Sequence, residues 1–148
     1  MLWEVWRYFD HGWIKSYWVE PQFHFSYFGL DWLTPWPGIG MDLHWIALGV
    51  FATGVMLGAW YRVSAALLFV GLTYVFLLDQ AHYLNHFYLV TLISFLMVFI
   101  PAHRCFSLDA LRKPELSSGM VPTWSIWLLR FQIGVPYFFG GVAKLNVD

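Results

Sequence analysis

The sequence predicts an all-α integral membrane protein with about four transmembrane helices and an aromatic-rich interfacial segment at its N-terminus. Apolar residues make up 59% of the 148 positions, and aromatic residues make up 22%. Charged residues make up only 11%, less than half of the roughly 25% found in an ordinary soluble domain. These charges are too few to cover a water-facing surface, so the composition excludes a soluble domain.

Four apolar segments approach the length of roughly 20 residues that a helix needs to cross ~30 Å of hydrocarbon. Polar or turn-forming stretches separate them at Arg62, at residues 79–82 and at residues 103–123. We expect these segments to form one helical bundle over residues 42–148. The predicted spans are residues 42–60, 63–79, 84–102 and 124–142.

The first 41 residues have a different composition from the spans. They are rich in Trp and Tyr and are interrupted by Pro21, Pro35, Pro37 and several glycines. Such a composition is typical of the headgroup interface, where amphipathic aromatic rings are enriched. We therefore expect residues 1–41 to lie on the lipid bilayer as an interfacial segment that contains helical pieces.

The net charge argues against one class of partner, and the cysteine content excludes two kinds of structural cross-link. The formal net charge of -1 argues against a nucleic-acid partner, because nucleic-acid binders concentrate Lys and Arg on one face. Cys105 is the only cysteine, which excludes an intrachain disulfide and a multi-cysteine zinc site.

The positions of the cations predict the orientation in the membrane. Arg62 follows the first span, and Arg104, Arg112 and Lys113 follow the third, so these two loops lie on the same side. Loops rich in Lys and Arg are usually cytoplasmic. We therefore expect the opposite end of the bundle to be extracytoplasmic.

A cluster of polar residues lies at that opposite end. Asp79, His82, Tyr83 and His86 are spaced by three, four and seven positions, so they share one helical face if the third span begins early. Ionisable groups buried in a span are costly and are functional candidates by default. The alternative is that they cap helix ends and bond one another at the membrane surface. The candidate site also includes Gln80, Asn85 and Tyr88.

A metal site is a further alternative for the same residues. His82 and His86 are four apart and would ligate one ion from one helical face, with Asp79 as a third ligand or as an acceptor behind them. Membrane di-iron oxygenases use several such histidine pairs, and the other four histidines form no second pair. We therefore expect no metal.

Three other positions are candidate ligand contacts. His24 lies among aromatic residues that would either stack a planar ligand or anchor the interface. Arg130 falls in the middle of the fourth span, where it needs a partner or a water-filled cavity. Lys144 follows the span's last glycines.

Gly134, Gly140 and Gly141 of the fourth span indicate close packing against another helix.

Distinctive motifs occur along essentially the whole chain. They lie at residues 58–62, 76–80, 84–89, 107–109, 121–124 and 141–148, and they include Leu-Leu-Asp-Gln, Leu-Asn-His-Phe-Tyr-Leu and the ending Ala-Lys-Leu-Asn-Val-Asp. Together these motifs resemble the vitamin K-dependent gamma-glutamyl carboxylase family and its bacterial relatives, the HTTM domain proteins.

The resemblance implies a membrane lyase that oxidises vitamin K hydroquinone, or another quinol, and uses the base so formed to carboxylate glutamate in a protein or peptide substrate. The family's base is a lysine directly after Leu-Leu-Asp, a position that Gln80 occupies here. A carboxamide holds an oxygen atom by hydrogen bonding but is not a general base near neutral pH. The candidate catalytic residues are therefore Gln80, His82 and His86, and the expected ligand is a hydrophobic, quinone-like molecule.

The family comparison also predicts that the chain is a fragment. Residues 1–10 resemble the tail of a truncated first helix, and the family continues beyond the position of Asp148. We expect a multi-pass protein of the bacterial inner membrane. Two other classes of function remain open, a non-catalytic membrane subunit that docks through its fourth span and a metal-dependent oxygenase.

Overall fold

The chain folds into a bundle of α-helices joined by turns and by one long irregular segment at residues 20–39, as seen in a computed structural model that describes residues 1–145. The last three positions of the family-like ending, residues 146–148, lie outside the described residues. The α-helices are α1 (Leu2–Asp10), α2 (Gly40–Leu57), α3 (Tyr61–Leu78), α4 (Asn85–Phe99), α5 (Leu108–Arg112) and α6 (Thr123–Ala143). A π-helix covers Lys15–Val19, and 3-10 turns cover Gln80–His82, Ala102–Arg104 and Pro114–Leu116.

The predicted all-α membrane architecture is confirmed. Helices α2, α3 and α6 have 18, 18 and 21 residues, and each is long and apolar enough to cross a membrane. Helix α4 is apolar but has only 15 residues, so it spans roughly 22 Å at 1.5 Å per residue. Residues 1–145 therefore contain three helices of full spanning length, where the sequence indicated about four.

Helix α4 is shorter than the predicted span 84–102 for a local reason at each end. Leu84 and Ile100 both have extended backbone conformations. Ile100 precedes Pro101, whose ring disfavours the α conformation in the residue before it.

Helix α2 also ends earlier than predicted. Gly58 adopts a left-handed conformation (φ 62°) and terminates the helix at Leu57, as glycine often does just beyond a helix.

The N-terminal segment packs into the bundle more deeply than its interfacial composition suggests. Helix α1 and the π-helix both contact α2. The Tyr8 ring stacks on the Trp45 ring at 4.2 Å between centroids and on the Trp18 ring at 5.6 Å. These aromatic rings belong to the same core as the spans, together with Ile14, Met41, Leu48, Leu72 and Leu78.

Helix α6 stands apart from this core. It packs mainly against α4, and Ser125 is its only buried residue. A face of apolar side chains along the rest of the helix, including Phe131, Phe138 and Phe139, is exposed.

Candidate functional site

The buried carboxylate of Asp79 connects the N-terminal segment to the turn between α3 and α4. Asp79 is only 5% exposed. Its Oδ1 accepts hydrogen bonds from the backbone N–H of Ala81 (2.8 Å) and of Phe25 (3.3 Å). Its Oδ2 lies 3.2 Å from His24 Nδ1, within a hydrogen bond, and 3.5 Å from His82 Nδ1. The carboxylate thus lies between two histidines that are 58 positions apart in the sequence, with a hydrogen bond to the His24 ring only.

The balance of burial and hydrogen bonding keeps Asp79 ionised. Burial raises the pKa of the Asp79 carboxyl, but hydrogen bonds from the Ala81 N–H and the His24 ring, the nearby His82 ring and the Phe25 N–H together lower it below its usual value. Asp79 is therefore a carboxylate at neutral pH. It orients the His24 ring through a hydrogen bond and places a negative charge beside the His82 ring.

His82 also borders an aromatic cavity of about 180 Å³. The centroid of its ring lies 4.5 Å from that of Tyr17. Trp18 Nε1 and His82 Nδ1 are buried and have no hydrogen-bond partner among the described residues. We call this space the His82 cavity. Its lining consists of Tyr8, Tyr17, Trp18, Val75, Phe76, Ala81, His82, Leu84 and Phe87.

Tyr8 supplies a protonated phenol to this lining. Burial first, and then the charges of Glu4 and Tyr17, raise the pKa of Tyr8 to about 12. At neutral pH the hydroxyl of Tyr8 therefore keeps its proton and remains a hydrogen-bond donor.

Gln80 faces a second, wider cavity on the other side of Phe76. Its Nε2 donates a hydrogen bond to the carbonyl oxygen of Ser26 at 3.0 Å, and its backbone N–H donates to Phe25 O at 2.8 Å. This cavity measures about 570 Å³ and is lined by Tyr27, Phe76, Gln80, Tyr83 and Tyr88. Because Phe76 lines both cavities, Gln80 and His82 contribute to neighbouring spaces rather than to one.

The expected common helical face of the polar cluster does not form. Asp79 is extended, a 3-10 turn follows it, and Leu84 is extended again before α4 begins at Asn85. The Asp79 side chain stabilises this break by accepting the Ala81 N–H. His82 and His86 therefore do not lie four apart on one helix.

The alternative of a metal pair at His82 and His86 required one common helical face, which these two residues do not share. No group of three or more His, Cys, Asp or Glu side chains within residues 1–145 is arranged to hold a metal ion.

Four predicted site residues lie away from both cavities. Asn85 and His86 are exposed at the start of α4 and line neither space. Arg130 is exposed on α6, and its guanidinium lies 5.6 Å from the centre of the Trp127 ring. Lys144 is exposed just after α6.

Three aromatic residues of the N-terminal segment line the His82 cavity, although they were not predicted as site residues. Tyr8, Tyr17 and Trp18 come from the N-terminal segment, whose composition indicated only membrane anchoring. The high aromatic content was the available signal, but it does not distinguish a ring at the lipid interface from one that lines a cavity.

Two comparisons with known proteins bear on this arrangement. A family model described as HTTM domain matches residues 1–148. No solved structure matches the chain.

Proposed function

The chain belongs to the HTTM domain family, and we propose that it binds a quinone-like ring in the His82 cavity and removes a proton from the reduced form of that ring. The HTTM domain is associated with vitamin K-dependent carboxylase-like membrane proteins. The proposed reaction is oxidation of the quinol by O2 to its epoxide and water, coupled to removal of a glutamate γ proton and addition of CO2 at that carbon in a protein or peptide substrate.

The observation that carries the proposal is the position of His82 between Asp79 and the aromatic cavity. The lining of the cavity is largely apolar and aromatic, and it carries a few polar groups, as small-molecule sites usually do. Its volume of about 180 Å³ lies below the ~300–1,000 Å³ of sites that enclose a drug-sized ligand. The cavity therefore suits a ring headgroup whose apolar tail remains in the lipid.

The chemistry of the lining fits the deprotonation of a quinol. Histidine is the commonest general base in enzymes. With Nδ1 of His82 beside the Asp79 carboxylate, its Nε2 is the nitrogen left to accept a proton from a ring hydroxyl. The unpartnered Nε1–H of Trp18 is a donor suited to a quinone oxygen. His82 thus takes the role that a lysine at the position of Gln80 has in the carboxylases.

The proposed site would lie on the extracytoplasmic side of a bacterial inner membrane. The turn before α3 and the segment that contains α5 contact each other at the opposite end of the bundle, so Arg62, Arg104 and Arg112 lie at one end. We assign this end to the cytoplasm because cytoplasmic loops carry an excess of Lys and Arg.

Replacing His82 with glutamine tests the base. We expect quinol-dependent oxygen uptake by the purified protein in detergent to fall about 100-fold, because general-base catalysis contributes at least that much, with a larger effect on kcat than on KM. His86→Gln changes the same side chain outside the cavity and should retain uptake, as should His11→Gln at a remote exposed site. Unchanged uptake in His82→Gln would refute the role of His82, whereas loss only in His86→Gln would favour the sequence-based assignment.

Restoring the family's lysine tests whether Gln80 belongs to the reacting centre. We expect the natural protein to convert vitamin K hydroquinone to its epoxide, measured by chromatography of the extracted quinones, and Gln80→Lys to leave the rate nearly unchanged, because Gln80 lines the neighbouring cavity and not the His82 cavity. A clear increase in the rate would place Gln80 in the reacting centre. Epoxide from Gln80→Lys alone would mean that the pocket is retained but that His82 is not a sufficient base.

The exposed α6 supports a second candidate function, that of a membrane subunit that docks onto another helix. Nothing lies within 4 Å of a Cβ built on Gly134, Gly140 or Gly141, so this small-residue face is open for the close helix contact that glycines permit. Absence of epoxide from both the natural protein and Gln80→Lys would favour this candidate over the quinol reaction.

A further inference from the structure

The carboxylate of Asp109, in α5, joins this helix to the beginning of α3 at the end of the bundle that carries Arg62 and Arg112. Asp109 Oδ1 accepts the backbone N–H of Trp60, and Oδ2 accepts that of Tyr61, both at 2.9 Å. The backbone N–H of Asp109 donates in turn to Gly58 O at 3.0 Å. The start of α3 is therefore already capped by a side chain, and the two segments hold a fixed position relative to each other.

A cavity of about 290 Å³ lies between these segments, and we call it the basic cavity. Its charged lining consists of Arg62, Arg112, Lys113 and Asp109, so three cations and one carboxylate leave a net charge of +2 (3 − 1). The carboxylate is committed to backbone N–H groups, whereas no salt bridge to Arg62, Arg112 or Lys113 is present among the described residues. The cavity therefore presents uncompensated positive charge.

His103 adds an unpaired polar atom to the same cavity. Its ring stacks on Tyr61 with 5.0 Å between centroids, and its Nδ1 is buried without a hydrogen-bond partner in the described part of the chain. Burial first, and then the charge of Arg62, lower the pKa of His103, so the neutral ring can carry a proton on Nδ1 and donate it. Buried polar atoms without a partner are rare and call for a ligand or an ordered water.

The backbone and the aromatic side chain of Trp60 complete the walls. Trp60 has a positive φ of 42°, an uncommon conformation for a bulky residue that tends to persist at functional sites. The guanidinium of Arg112 lies 5.8 Å from the centre of the Trp60 ring. Trp60 and Val63 are exposed at the beginning of the membrane-spanning helix α3, where a lipid headgroup would contact them.

We propose that the basic cavity binds the phosphate group of an anionic lipid headgroup. Arginine and lysine are the side chains that proteins use to bind phosphate, and basic pockets at the ends of transmembrane helices are suited to anionic headgroups. The exposed apolar residues beside the cavity favour a lipid over a free phosphate ion, because the acyl chains of the lipid would lie against α3.

Titration of the purified protein in neutral detergent tests this proposal. The probes are dioctanoyl phosphatidylglycerol, dioctanoyl phosphatidylcholine and inorganic phosphate, and the readout is isothermal titration calorimetry. We expect saturable binding of the anionic lipid, and weaker binding of both other probes. Arg62→Gln and Arg112→Gln should each weaken binding of the anionic lipid about fivefold, as expected for one cation near a membrane surface.

Arg104→Gln is the matched control, because Arg104, like Arg112, follows α4 but does not line the cavity. It should leave lipid binding unchanged. Thermal unfolding of all three variants establishes that they are folded. Equal weakening by all three substitutions would overturn the assignment to the basic cavity, and equal binding of inorganic phosphate and the anionic lipid would overturn the lipid as the source of the phosphate. Absence of saturable lipid binding by the natural protein would refute the proposal.

Discussion

Replacing Asp79 with alanine is expected to lower the free energy of unfolding by about 3 kcal/mol, because it leaves several polar groups without their acceptor at a cost of roughly 1–3 kcal/mol each. These groups are the backbone N–H of Phe25, that of Ala81 and the ring of His24. Denaturant unfolding in detergent micelles measures the change.

Asp10→Ala is the control for this substitution, since Asp10 is an exposed carboxylate that should contribute little. A loss of stability in Asp79→Ala no larger than that in Asp10→Ala would contradict the central role of Asp79.

The pH dependence of stability provides a second check on Asp79. Because the pKa of Asp79 is lowered in the folded protein, its ionised form stabilises the fold at pH values above the unfolded pKa of about 3.9. This contribution is lost as the pH falls through the lower folded pKa, so the natural protein and Asp79→Asn should converge in stability in strong acid.

Gly58→Ala is expected to destabilise the protein to a similar extent, by about 3 kcal/mol. Gly58 has a positive φ of 62°, and a Cβ built on it lies 2.3 Å from Ser107 Cβ and 3.2 Å from Ser107 Cα. Backbone strain contributes on the order of 1–3 kcal/mol, and overpacking contributes a further ~1–3 kcal/mol. The same unfolding measurement in detergent records the change.

Gly134→Ala is the matched control. A Cβ at Gly134 meets no atom within 4 Å and needs no positive φ, and alanine is favoured over glycine inside a helix by roughly 1 kcal/mol. This variant should be as stable as the natural protein or more stable. If both glycine variants behaved alike, the close contact between Gly58 and Ser107 would not exist in the folded protein.

Composition and hydropathy predicted the three full-length apolar helices α2, α3 and α6, because each span must bury its backbone polar groups in its own hydrogen bonds while it exposes apolar side chains to lipid. The same properties indicated a fourth full span where the structure has the shorter α4. They also placed Arg62 and Arg112 at the same end of the bundle. The exact ends of α2 and α4 depended on the conformations of Gly58 and Ile100, and overall hydropathy does not report these.

The site was predicted only in part. Asp79 and His82 stood out as ionisable residues beside a span, and His24 stood out within its aromatic surroundings. Their grouping around one carboxylate was not visible, because Asp79 and His24 are 55 positions apart and no local periodicity relates them. The sequence predicted that α4 begins early and that His86 therefore lies beside His82. In the structure, the extended backbone before Asn85 separates the two histidines.

The amino-acid composition is enough to place this protein in a membrane, since so few charges cannot solvate a soluble surface, and the motifs carry the resemblance that the HTTM match confirms. Which polar residues meet depends on the tertiary packing. Packing of the N-terminal aromatic residues against α2 brings Tyr8 and Trp18 next to His82, because burying these large rings in the common core removes their apolar surface from water or from the interface. Contact of residues 24 and 25 with the turn after α3 likewise makes the carboxylate of Asp79 the acceptor for the Phe25 N–H and the partner of the His24 ring.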